Sequence, residues 1–278
     1  MERPRRALIA GSVVLVVASA AAFTFWWLRG RNDAVPEAPQ SPAAVTVAAS
    51  AAATVAPAAS APAIQHPIEA VETPDGPPDP AMLLGELFGK KAVDSLFLVD
   101  GFALRVAATV DNLGRATATP RLWPVRPTDG RFSVESRDGA TFIAADNGLR
   151  YAPLLIAVES ADPARVALAY KRLYPQIQKA YVDLGYPDGY FNDRLVEVID
   201  TMLATPEPKG PLEVHLPKSG DDSTPALPWI LYEFADPQLA ALPAGQKLLL
   251  RMGPVGERRV KARLAEFRKL IAPPAAVR

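Results

Sequence analysis

Residues 162–185 read DPARVALAYKRLYPQIQKAYVDLG, and this stretch decides the fold class. Asp162 has the short acceptor side chain that suits a helix N-cap. Pro163 has the fixed φ that suits the first helical position. From there Val166, Ala169, Tyr170, Leu173, Ile177, Ala180, Tyr181 and Leu184 recur at helical spacing. Gly185 follows as a residue able to close the helix in a left-handed conformation. Pro175 lies inside the pattern and predicts a kink, because it lacks a backbone donor and crowds the preceding turn. A long amphipathic helix therefore anchors the domain, and its neighbours follow from it.

After the GYPDGY turn, Phe191, Leu195, Val198, Ile199 and Met202 form one face of a second helix, stopped by Pro206 and Pro208. Upstream, PAMLLGELFGKKAVDSLF and FALRVAATVDNL read as helical, with a break near Asp100-Gly101. TPRLWPVRPTDG has too many prolines for regular structure. RFSVES and ATFIAA alternate around RDG and predict a hairpin, and LRYAPLLIAVES predicts a short helix or buried segment. PLEVHL and WILYEF predict two strands flanking a polar loop. Asp236-Pro237 marks a short helix, and a C-terminal helix turns Val260, Leu264, Phe267 and Leu270 inward. The sum is α+β: a mainly helical domain with two small β elements, over residues 81–278.

The N-terminal part is different. After MERPRR, residues 7–28 carry no charge. A bilayer core needs about 20 such residues. Trp26 and Trp27 close the segment, where indoles favour the headgroup layer. The run predicts a single-pass signal anchor, with residues 1–6 cytoplasmic and the rest exported. A cleaved signal peptide is the alternative, ASA at 18–20 resembling its cleavage site. Residues 29–80 form an Ala/Pro-rich linker, with ten of the 29 prolines between Pro36 and Pro80. Such a composition buries no core and predicts a disordered tether.

Composition excludes several chemistries. The chain has 278 residues, 30 basic and 30 acidic, and no cysteine. Thiolate nucleophiles, disulfides and Cys-based zinc sites are ruled out. The neutral balance gives no pull toward nucleic acid. Of two histidines, His66 lies in the linker and His215 in a predicted strand, where a structural role is the ordinary reading. No nucleophile elbow, zincin, EF-hand or phosphate loop is present, so no cofactor or metal is expected. Nothing in the chain sets an oligomeric state.

Three groups of residues are candidates for function. Asp193, Glu197 and Asp200 share one face of the second helix, as general acid/base groups would, or as an ordinary solvated face does. Tyr170, Tyr174 and Tyr181 form a stripe that suits sugar or partner contact, or packing at a core edge. In AGQKLLLRMGP, residues 244–254, three consecutive leucines cover more than half of a helix circumference, so that short helix is buried on several sides. Lys247 and Arg251 share its remaining edge, four apart, and repel mildly unless an anion meets them. That anion is either the acidic face of the second helix or a ligand. The many cations of the C-terminal helix, Arg258 to Lys269, read as a solvated face.

VDNL, RLYPQIQKAYVDLGYPDGYFNDRLVEVIDTMLATPEPKGPLEV and LYEFADPQLAALPAGQKLLLRMGP, followed by VKARL, together resemble a bacterial membrane-anchored family catalogued as domain of unknown function 3014. The resemblance covers roughly residues 81–270. It implies one N-terminal span, a variable Pro/Ala tether and one envelope domain, and it assigns no catalytic residue. The sequence thus supports a non-enzymatic envelope protein that binds a protein partner or the cell wall. A carboxylate-dependent hydrolase of wall glycan and a sensor of small anions are the alternatives.

Overall fold

Three Asp-Pro pairs start three helices by one device. The Asp carboxylate accepts a backbone N–H two residues on, and Pro fills the first helical position: Asp79 with Ala81, Asp162 with Ala164, Asp236 with Gln238. In the computed structural model, residues 63–71, 76–217 and 230–272 are described. They form α1 (Pro80–Phe88), α2 (Lys90–Leu96), α3 (Phe102–Leu113), β1 (Val134–Arg137) and β2 (Ala140–Ile143). Then come α4 (Ala152–Ser160), α5 (Pro163–Asp183), α6 (Phe191–Leu203), β3 (Val214–His215), β4 (Glu233–Phe234), α7 (Pro237–Ala240), α8 (Ala244–Arg251) and α9 (Gly253–Ile271). Short 3-10 turns occupy Pro120–Leu122 and Ala145–Tyr151. The mainly helical α+β class is as expected, and the predicted membrane span lies outside the described residues. Among those described, no helix is long and apolar enough to cross a membrane.

Helix α5 is the spine. It packs against α3, α9 and α1, while α6 packs against α3, α8 and α9. It runs unbroken through Pro175, and Gly185 follows its end at φ +105°. The main core combines Leu173 and Ile177 of α5 with Phe191, Val196 and Ile199 of α6, and with Leu83, Leu84 and Phe102 from the first helices. The upstream helical stretch breaks at Gly89 as well as at Gly101, both with positive φ. Leu270, expected inward, is exposed at 39 %, and its neighbour Ile271 is buried in its place.

The β elements form a small wing. β1 and β2 pair antiparallel, joined by Asp138 and Gly139 with φ of 50° and 81°. Those angles are what a type I′ turn requires and what Asp-Gly supplies. β3 and β4 pair antiparallel over only two residues each, shorter than the alternation suggested. A Phe142–Glu213 bridge links the two hairpins.

Residues 63–71, expected within the free tether, lie along the helices. The amides of Gln65 and His66 donate to the Asp193 carboxylate at 2.9 and 2.7 Å, and that of Ile68 to the Tyr190 hydroxyl at 2.8 Å. Pro- and Ala-rich composition leaves backbone donors free, and here side chains of the helical domain take them up.

Candidate functional site

Helix α8 lies between two small cores. Leu249, fully buried, joins Leu155, Val198, Met202 and Met252, with Leu248 packed at its edge. Leu250 faces the β wing with Val214 and Phe234. This is the burial on several sides that three consecutive leucines imply, and it leaves Lys247 and Arg251 on the remaining edge.

Both cations face a cavity of about 410 Å³, walled also by Trp123, Leu231, Tyr232 and Glu233. Lys247 Nζ donates to the carbonyls of Ala116 and Ala240, at 2.8 and 3.2 Å. Arg251 Nη2 donates to the Tyr232 carbonyl at 2.9 Å, and its guanidinium stands 5.3 Å from the centre of the Phe234 ring. Neither forms an ion pair among the described residues. Burial, with Arg251 close by, pushes the Lys247 ammonium below its ordinary value, and Glu233 offsets this in part. Burial likewise lowers Arg251, against the pull of Tyr151 and Glu233. Two desolvated like charges one turn apart form an electropositive recess that an anion would relieve. The indole Nε1 of Trp123, on the same wall, is buried and has no acceptor among the described residues.

The expected meeting of Lys247 or Arg251 with the acidic face of α6 does not occur, because each of those carboxylates is already engaged. Asp193 holds the amides of residues 65 and 66. Glu197 pairs with Arg194 at 2.9 Å. Asp200 takes a two-pronged contact from Arg268 of α9. They neither converge nor line a cavity among those described. No group of three or more His, Cys, Asp or Glu side chains among the described residues is placed to hold a metal.

The tyrosine stripe is core, not contact surface. Tyr170, Tyr174 and Tyr181 are buried against Phe267, Tyr190, Tyr186 and Phe191. Their phenols are pushed up, chiefly by desolvation. Tyr170 donates to Asn192 Oδ1 at 2.9 Å, and Tyr174 to Gln178 Oε1 at 3.0 Å.

Sequence reasoning missed Trp123, which lies in a proline-rich stretch with no periodicity to place it. It also missed Asp111, buried beside α6, where it meets Arg115 at 2.8 Å and Arg194 at 3.3 Å and accepts from Tyr186. The resemblance contained Asp111 within VDNL but gave it no role.

No curated protein and no solved structure matches the chain. Residues 102–268, which carry α3 through most of α9 and the whole Lys247–Arg251 recess, match a family model described as Protein of unknown function (DUF3014), and the chain belongs to that family.

Proposed function

We propose that the domain is a non-enzymatic binding module of the cell envelope. It captures a carboxylate, carried by a protein partner or by the wall, in the recess of Lys247 and Arg251. The carrying observation is that pair of desolvated cations, one helical turn apart, facing a cavity with neither of them paired to a carboxylate of the described residues. Charge-assisted hydrogen bonds in a partly dry recess are stronger than neutral ones, and planar guanidinium suits a carboxylate. The apolar run at residues 7–28 would hold the protein in the inner membrane, with the domain on the periplasmic side of an Ala/Pro tether.

Crosslinking of the full-length chain in its own membranes tests this reading. A specific envelope protein or wall fragment is expected on the wild type. It is lost from Lys247→Met and Arg251→Met and kept by Asp193→Asn. Equal capture by all four proteins would remove the recess from function. Capture lost only from Asp193→Asn would move attention to α6.

A further inference from the structure

A second cavity, of about 320 Å³, opens between α4, the start of α5 and α9. It shares no cation with the recess of Lys247 and Arg251, and its chemistry is independent of that recess. Its floor is Leu155, Met202, Leu249 and Met252, all buried, and Val158 and Phe267 stand at its sides. The polar side chains on its wall are Glu159, Arg259 and Arg263. Arg259 grips the Glu159 carboxylate through Nε and Nη2, leaving Nη1 without an acceptor among the described residues. Arg263 donates to the Glu159 carbonyl and pairs with Glu266 at 2.8 Å.

This cavity is half open, and an apolar occupant would take its lining out of water. Water is a poor occupant where polar partners are few. The volume lies at the small end of ligand sites. A docking face for a folded partner would be broader and flatter than a recess floored by buried side chains. Two methionines in the floor give a soft wall that adapts to a flexible chain. The guanidinium edge offers a place for one acidic head.

We infer that this cavity binds a single aliphatic chain with a carboxylate head, a fatty acid, its tail on the Leu249 and Met252 floor and its head at Arg259. The occupant is amphiphilic because the wall is: apolar over its floor and sides, with a polar lip where Arg259, already paired with Glu159, keeps Nη1 for one more acceptor.

The test is photolabelling of the full-length chain, held in an amphipathic polymer so that no detergent micelle competes. The probe is a diazirine-bearing fatty acid. Label is expected on peptides containing Met202, Met252 or Phe267, displaced by laurate and not by butyrate. Val158→Trp, which plugs the mouth, should cut labelling at least tenfold at an unchanged thermal transition. Arg259→Met should weaken the acid probe several-fold more than its methyl ester. Label scattered over the surface, or competition independent of chain length, would overturn the inference even if the plugged variant failed to fold. A concentration-dependent dimer abolished by Val158→Trp would also overturn it, assigning the cavity to a second copy of the chain.

Discussion

Asn192 ties together four parts of the chain. Its side chain is fully buried. Its amide nitrogen donates to the carbonyls of His66 and Ile271, at 2.8 and 3.0 Å, and its oxygen accepts from Tyr170. Asn192→Leu would orphan one buried carbonyl, one half-buried carbonyl and a phenol. It should cost roughly 2–4 kcal/mol in denaturant unfolding. A loss below about 0.5 kcal/mol would show that the clasp is incidental. The raised tyrosines make an alkaline prediction. Their folded pKa values exceed the unfolded one near about 10, so above that pH the unfolded chain loses protons that the folded chain keeps. Stability should therefore fall as pH rises past about 10. Ultraviolet titration should show Tyr170 and Tyr174 ionising only with unfolding, and Phe at either position should reduce that late phase. Glu159 acts at the other end of the scale. The hydrogen bond from Arg259 holds its carboxyl below the ordinary range. Its contribution is complete above about pH 4.3 and is lost as pH falls through the folded value. Glu159→Gln should shallow the acid limb of the stability curve, and an unaltered limb would count against the pair.

At the scale of elements, periodicity and caps carried the furthest. The α5 stretch displayed its cap, its apolar face and its stop in sequence, because all three are local. The Asp-Gly hairpin was equally plain. The three leucines of α8 gave burial on several sides but not the neighbours, since only packing shows that Leu249 meets α4 and α6 residues while Leu250 meets the β wing. The distant partners of the acidic face were hidden for the same reason. Its spacing on α6 is visible, but its partners Arg268 and residues 65–66 are far away in the chain. The approach of the Ala145–Tyr151 turn to the α8–α9 junction was invisible too. There a Cβ at Gly148 would stand 2.6 Å from the Met252 carbonyl oxygen. Gly148→Ala should push these elements apart and cost about 1–3 kcal/mol. A neutral result in thermal unfolding would mean that the junction relaxes freely.

At the scale of the molecule, helices set the frame and the recess forms where the frame meets the β wing. Lys247 and Arg251 project from α8, Trp123 comes from the proline-rich connection, and Glu233 and Phe234 come from β4. Sequence could name the two cations because α8 places them four apart. It could not supply the cavity, which is a property of the assembled elements. The recess carries the proposed function, and calorimetric titration of the full-length protein with succinate and with short acidic peptides tests it most directly. The wild type should bind, more weakly as salt rises, and Lys247→Met should lose about tenfold to a hundredfold in affinity, the worth of one charge-assisted hydrogen bond. Binding of equal strength in wild type and Lys247→Met, or no heat from either at saturating ligand, would contradict the account.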